Sequence, residues 1–208
     1  MVKLIQTGYF QNTTTVVLYK QFSSKGDYNM KENANEKSFN IKWLAICAVF
    51  TALTCVFTMF IQIPTGPIGG MVHIGNIPFF IAAAFFGKRT GAIVGGVGMA
   101  LSDILTNWVP WAPITLITVG LMGFVYALIV NRKPTIVKLI IASIAMIAIK
   151  VAGYYVGEVI MYSSFIIPLA SIPGNVIQIA VNSVIAIPII MVLKSTCMNL
   201  INKLQPTA

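Results

Sequence analysis

Long apolar runs fill the chain from about residue 40 onward, separated by short turns that contain charged residues, glycine or proline. A membrane-spanning helix needs about 20 mainly apolar residues. Backbone groups in hydrocarbon must form their hydrogen bonds internally, which favours helices. The pattern predicts an all-α integral membrane bundle in residues 39–208. Its six transmembrane helices are expected at 41–61, 72–87, 91–107, 113–131, 135–161 and 172–194.

The composition agrees with this class and excludes a soluble domain. Hydrophobic residues make up 57% of the chain and charged residues 9%, and the mean hydropathy is +0.86. Residues 1–38 differ, because they are polar and contain only short apolar runs. Met30, followed by Lys31-Glu32-Asn33, resembles a natural start. We therefore expect residues 1–38 to be a flexible polar tail or an upstream-start artefact.

The basic residues give the bundle a direction. All those after residue 40 except Lys150 lie on one predicted side of the membrane: Lys42, Lys88, Arg89, Arg132, Lys133, Lys138, Lys194 and Lys203. The positive-inside rule assigns this side to the cytoplasm. Both termini are then cytoplasmic, in a multi-pass protein of the cell membrane. The cytoplasmic basic residues and the N-terminal tail account for most of the net charge of +9. The charge therefore does not indicate a nucleic-acid partner, and membrane lipid is the expected environment.

The fifth predicted helix carries ionisable residues inside the membrane. Lys150, Tyr154 and Glu158 are spaced four residues apart and share one face toward the outer side. An ionisable group in a bilayer is by default a functional candidate. Two interpretations remain open: the stripe contacts a ligand, or Lys150 pairs with Glu158 or Asp103, or extends outward, for structural reasons.

The sixth predicted helix carries three amides on one stripe in its outer half: Asn175, Gln178 and Asn182. Amides donate and accept hydrogen bonds, which suits a heteroaromatic or hydroxylated ligand. They could equally join helices, a contribution of about 0.6 kcal/mol each in membrane proteins. We favour a ligand site.

A third set of candidates lies at the outer end of the third helix: Asp103, Asn107, Trp108 and Trp111. A carboxylate inside the membrane needs a cation or several donors, and Lys150 is the obvious partner. Tryptophans at this depth are commonly interface anchors, although the neighbouring prolines would also hold a ring rigidly against a planar ligand.

The first outer loop, residues 64–73, combines glycines and prolines without any charge. Such a loop is suited to cap a cavity and move as a gate. His73 and Asn76 follow from it as ligand candidates, with packing roles as the alternative. A lone histidine without cysteine or carboxylate at ligand spacing gives no indication of a metal site.

Small residues mark one face of the first helix near the cytoplasm: Ala45, Ala48 and Ala52. Small residues at this spacing let another helix approach closely, so this face is a candidate docking surface, with internal packing as the alternative. The glycines of the third helix are expected to pack inside the bundle.

Motifs for catalysis and energy coupling are absent from the sequence. No G-x-x-x-x-G-K-[ST] phosphate loop occurs, and Asp103 and Glu158 are the only acids after residue 40. The sequence therefore predicts no enzyme, no cofactor and no metal. It predicts a small binding module that takes its energy from another subunit.

Several segments resemble the substrate-binding S components of energy-coupling factor (ECF) vitamin transporters. The similarity covers about residues 40–200 and includes the alanine-rich first helix and Gly87-Lys88-Arg89-Thr90-Gly91-Ala92. His73-Ile74-Gly75-Asn76-Ile77-Pro78 and Ala100-Leu101-Ser102-Asp103-Ile104-Leu105 resemble the hydroxymethylpyrimidine, pyridoxine and pantothenate branch.

The resemblance implies capture of a water-soluble vitamin or precursor on the extracellular side, with hydroxymethylpyrimidine ahead of pyridoxine and pantothenate. It also implies a transmembrane scaffold subunit and two cytosolic ATPase subunits as partners, docking through Ala45, Ala48 and Ala52, and toppling in the membrane to deliver the substrate. Two other classes stay open: a self-sufficient secondary carrier or channel for a small polar solute, and a membrane scaffold that does not transport.

Overall fold

A computed structural model describes residues 41–64 and 71–204. These residues form six α-helices, one two-stranded hairpin and two short 3-10 turns. In chain order the elements are α1 (Ile41–Phe60), β1 (Gln62–Pro64), β2 (Met71–His73), α2 (Asn76–Phe86), α3 (Lys88–Leu105), the turn Val109–Trp111, α4 (Ala112–Val130), α5 (Ile136–Tyr162), the turn Ile167–Ser171 and α6 (Ile172–Leu204). The predicted tail at 1–38 lies outside the described residues, and so do residues 65–70 of the predicted gate loop.

The helical bundle is confirmed, but the count of six spans is not. Four helical segments are long and apolar enough to cross a membrane: Ile41–Phe60, Val109–Val130, Ile136–Tyr162 and Ile167–Leu204. α2 has 11 residues, about 16 Å at 1.5 Å per residue, roughly half of the hydrocarbon thickness. α3 has 18 residues, of which Lys88, Arg89 and Asp103 are charged.

Two predicted boundaries were wrong. The second helix, expected from residue 72, begins at Asn76 because Met71–His73 pairs antiparallel with Gln62–Pro64. Strands of three residues are too short for an alternating pattern to reveal them, so the all-α prediction missed this hairpin. The last helix continues to Leu204 rather than residue 194, and Pro188 lies inside it.

Backbone conformation explains where two helices end. Gly87, between α2 and α3, has φ 91°, a left-handed value that glycine adopts without steric cost. Asn107 follows α3 with φ 66°, while the N–H of Trp108 donates to the Asp103 carbonyl at 2.8 Å. A left-handed residue followed by this bond ends a helix in the Schellman manner.

Basic side chains satisfy carbonyl groups at one end of the bundle. Arg132 donates to the Phe86 carbonyl at the end of α2, Lys138 to the Val130 carbonyl at the end of α4, and Lys194 to the Pro134 carbonyl at 2.8 Å. Cations are favourable at helix C-termini, where the last carbonyls have no helical partner.

Glycines bring α3 and α4 into backbone contact, as predicted for the third helix. A Cβ atom on Gly96 would lie 2.8 Å from the Leu116 carbonyl oxygen, whereas one on Gly120, on the facing helix, would find no atom nearer than 3.6 Å. The two positions therefore tolerate an added methyl group very differently.

We expect Gly96→Ala to destabilise the protein by about 1–3 kcal/mol, because the new methyl group meets backbone that cannot move aside. Gly120→Ala is the matched control and should leave the melting temperature unchanged or slightly higher. Thermal unfolding of the detergent-purified variants measures both. Equal melting temperatures for the two variants would contradict the close α3–α4 contact.

Candidate functional site

A polar cavity opens at the end of the bundle opposite the carbonyl-capping cations. It encloses about 530 Å³ of space between the side chains, counting the space at its open mouth. β2, the end of α3, the start of α4, the second half of α5 and the start of α6 enclose it. Its lining residues are Met71, His73, Asp103, Trp108, Trp111, Thr115, Lys150, Tyr154, Glu158, Ser171, Gly174, Asn175 and Gln178.

Lys150 is the cationic group of this cavity. Its side chain is 2% exposed, and Nζ lies 4.6 Å from the centroid of the Tyr154 ring. Within the described part of the chain, no carboxylate oxygen lies within 4.0 Å of this ammonium. The predicted alternative of a direct ion pair with Asp103 or Glu158 is therefore not observed, and the charge is stabilised by an aromatic face and by more distant carboxylates.

Asp103 presents a carboxylate with one oxygen unused. The residue is 7% exposed, and Oδ2 has no hydrogen-bond partner in the described structure. Thr115 neighbours this carboxylate, and its hydroxyl lies 2.9 Å from the Tyr154 hydroxyl. A buried carboxylate oxygen without a donor is costly, and Asp103 also lines the cavity, so this carboxyl group is a candidate hydrogen-bond acceptor there.

Glu158, by contrast, is held by its neighbours. The Ser171 hydroxyl donates to Oε2 at 2.7 Å, and the Trp111 side chain lies close to this carboxylate. Trp111 packs edge-on against Trp108 at 5.1 Å between ring centroids. This arrangement fixes two indole rings at the cavity wall, where a planar molecule can stack on them.

His73 is tied to α6 by two contacts. Its Nε2 lies 2.6 Å from the Gln178 amide, and its carbonyl accepts a hydrogen bond from Asn182 Nδ2 at 2.8 Å. Burial, and secondarily the positive charge of Lys150, hold the pKa of His73 well below its usual range. His73 therefore stays neutral at physiological pH, and the hairpin strand β2 is anchored beside the cavity.

The structure brings nine of the twelve predicted site residues to this one cavity: His73, Asp103, Trp108, Trp111, Lys150, Tyr154, Glu158, Asn175 and Gln178. Asn107 is not among its lining residues, since it is exposed and forms the left-handed turn after α3. Asn182 lies deeper and binds the carbonyls of His73 and Gln178. Asn76 is fully buried at the start of α2, and neither atom of its amide group has a partner among the described residues.

Four lining residues were missed by the sequence analysis: Met71, Thr115, Ser171 and Gly174. Thr115 follows Trp111 by one helical turn, and this spacing was the available signal. Ser171 reaches Glu158 only because the chain reverses between α5 and α6, and no local pattern indicates that. No cluster of three or more potential metal ligands occurs in residues 41–64 and 71–204.

The family model of the ECF-type riboflavin transporter S component matches residues 38–195. The thiamine precursor transporter HmpT of Lactococcus lactis subsp. cremoris is 28% identical over 148 residues, which are 71% of this chain and 84% of that protein. An uncharacterized protein of Pyrococcus woesei is 27% identical over 107 residues, 51% of this chain and 72% of that protein.

The family match covers most of the chain and agrees with the long apolar helices. S components are transporter subunits of the cell membrane rather than enzymes; they bind vitamin-like substrates and work with a scaffold and ATPase subunits. The chain belongs to the ECF-type riboflavin transporter S component family and is a substrate-binding subunit of an ECF vitamin importer.

Proposed function

We propose that this S component captures a small aminopyrimidine, hydroxymethylpyrimidine, from the extracellular side and delivers it inward. The single observation that carries the proposal is that the carboxyl group of Asp103, the ammonium of Lys150 and two indole rings line one cavity. A carboxylate is complementary to an exocyclic amino group, and indole faces are complementary to a planar ring.

The other vitamins match these groups less well. Riboflavin, the substrate in the name of the matching family, has a tricyclic ring and no exocyclic amino group for Asp103. Pantothenate would place its carboxylate near Lys150, but also near Asp103 and Glu158. Pyridoxine has hydroxyl groups for Asp103 but no amino group. The similarity to a thiamine precursor transporter also supports hydroxymethylpyrimidine ahead of the other vitamins.

The proposed orientation places the cavity outside and both termini in the cytoplasm, with α2 and α3 completing six membrane passages. It is supported by the basic residues, which donate to backbone carbonyls at the end of the bundle away from the cavity. Positive charge marks the cytoplasmic side of membrane proteins. The short α2 would then cross only part of the bilayer, together with the hairpin that precedes it.

The proposed docking surface is the alanine face of α1, defined by Ala45, Ala48 and Ala52. All three side chains are exposed, which favours an external partner over the alternative of internal packing. We propose that the membrane scaffold subunit packs here, joined by two ATPase subunits, and that the bound S component topples to release its substrate inward.

Calorimetric titration of the purified protein tests the substrate. We expect saturable 1:1 binding of hydroxymethylpyrimidine and at least about tenfold weaker binding of pyridoxine, pantothenate and riboflavin, because each leaves buried polar groups of the cavity unpaired. Tighter binding of riboflavin than of hydroxymethylpyrimidine would refute the substrate assignment. Binding of none of these compounds would refute the vitamin site itself.

A further inference from the structure

The orientation of the Gln178 amide decides whether the cavity wall offers a hydrogen-bond donor or an acceptor at this point. Gln178 is 1% exposed and lines the cavity, so only one end of its amide contacts His73. The other end is available to a bound molecule. The two orientations differ by half a turn about the last side-chain bond and have nearly the same shape.

The backbone of Gly75 settles which nitrogen of His73 carries the proton. The Gly75 N–H points at His73 Nδ1 across 3.3 Å. A backbone N–H can only donate, so Nδ1 must be the unprotonated, accepting nitrogen. In a neutral imidazole the proton then resides on Nε2, and the burial of His73 favours the neutral ring.

An Nε2–H group must donate, and the structure orients Gln178 with its amide nitrogen 2.6 Å from His73 Nε2, an orientation interchangeable in shape with the one that places the oxygen there. An amide nitrogen at this position would oppose one N–H to another, which leaves both buried donors unsatisfied. The amide oxygen at this position accepts the bond instead. Turning the oxygen toward His73 turns the NH₂ group of Gln178 toward the cavity.

Asn182 keeps both partners in place. Its Nδ2 donates to the His73 carbonyl at 2.8 Å and to the Gln178 carbonyl at 2.7 Å. These two bonds use both amide hydrogens and fix β2 against α6. Asn182 thus fixes the backbone at His73 and Gln178, and the Gly75 N–H contacts the histidine ring, independently of the bound molecule.

We infer that His73, as the Nε2–H tautomer, is a positioning residue that turns Gln178 into a hydrogen-bond donor and so selects substrates with an acceptor at that edge, such as a ring nitrogen or a carbonyl oxygen. The inference rests on the proposed function for the existence of a substrate in this cavity. Gln178 would then be a second residue that recognises the substrate. It donates a hydrogen bond, whereas Asp103 accepts one.

The charged groups around the ring bear on its protonation. Lys150 from α5 lines the same cavity and disfavours an imidazolium, whereas Asp103 from α3 and Glu158 from α5 would favour one. Lowering the pH through the ordinary pKa of histidine should therefore leave the ring neutral. The anchoring of β2 is expected to hold from about pH 8 down to about pH 6.

The chain contains a single histidine, so nitrogen NMR of protein labelled with ¹⁵N-histidine reports on His73 alone. We expect one protonated Nε2 and one unprotonated Nδ1 signal, unchanged between pH 6 and pH 8. A proton on Nδ1, or an imidazolium in this range, would overturn the inference.

The proposed hydrogen bond from Gln178 to the substrate is tested by Gln178→Glu. The glutamate side chain still accepts a bond from Nε2–H but has no N–H to donate. We expect the affinity for hydroxymethylpyrimidine to fall at least about tenfold, and the histidine signals of the variant report whether the new carboxylate has changed the protonation of His73. Asn199→Asp is the matched control, since it makes the same amide-to-acid change at an exposed position on α6.

The outcomes separate this inference from the proposed function. The Nε2–H tautomer with unchanged affinity in Gln178→Glu would overturn the selection of an acceptor edge. The Nε2–H tautomer in a protein that binds none of the vitamins would support the positioning by His73 and contradict the proposed function.

Discussion

Asp103→Asn is expected to weaken binding of hydroxymethylpyrimidine by roughly 10- to 100-fold, the usual effect of replacing a charged hydrogen-bond acceptor with a neutral one. The substitution keeps the size of the side chain and its contact with Thr115. It removes the negative charge and replaces one carboxylate oxygen with an NH₂ group in a residue that is 7% exposed. Calorimetric titration gives the affinity, and thermal unfolding shows whether the variant is folded.

A purely structural role for Asp103 predicts a different result. If the carboxylate only balances the charge of Lys150, the melting temperature falls while the folded protein binds with unchanged affinity. Asn107→Gly serves as a control four residues along the chain. It retains a residue that accepts φ 66° and removes an exposed side chain outside the cavity, so its affinity should match that of the unmodified protein.

Ala48→Trp is expected to abolish association with the membrane scaffold subunit and to leave hydroxymethylpyrimidine binding within about twofold. Helices that meet through small residues approach closely, and an indole at the contact holds their backbones apart. Ala48 is exposed on α1 and lies outside the cavity residues. Co-purification of the scaffold and ATPase subunits from membranes measures the association.

The matched control is Ala148→Trp, which adds the same side chain at an exposed alanine of α5. It tests whether any bulky residue on the lipid-facing surface disturbs assembly. Loss of association in both variants would remove the specificity of the alanine face, and full association of Ala48→Trp would exclude the docking surface.

Helical periodicity made much of the candidate site predictable. Lys150, Tyr154 and Glu158 recur every four residues, and any regular helix places them on one face. Asn175 and Gln178 follow the same reasoning on α6. All five line the cavity, because a helix transmits sequence spacing directly into spatial position.

The remaining features depend on contacts that local spacing does not encode. Asn182 continues the stripe of Gln178, yet it binds the carbonyl of His73, and that contact exists only because β2 lies against α6. The hairpin itself has three-residue strands, shorter than any detectable alternation. Ser171 and Glu158 meet across a chain reversal for the same reason.

Asn107 shows how one residue type can mislead. Asparagine suits a polar ligand, but it also tolerates the left-handed conformation that ends a helix. Its φ of 66° and exposed side chain follow from the second property. The sequence alone could not show that Ala45, Ala48 and Ala52 are exposed. Small residues also occur at internal helix contacts, such as that of Gly96 with Leu116.

Mass spectrometry of small molecules released from the purified protein tests the central claim most directly. We expect an aminopyrimidine to co-purify with the unmodified protein and to be absent from Asp103→Asn prepared in the same way. Release of a compound without an amino group, or equal release from both proteins, would contradict the account of this cavity.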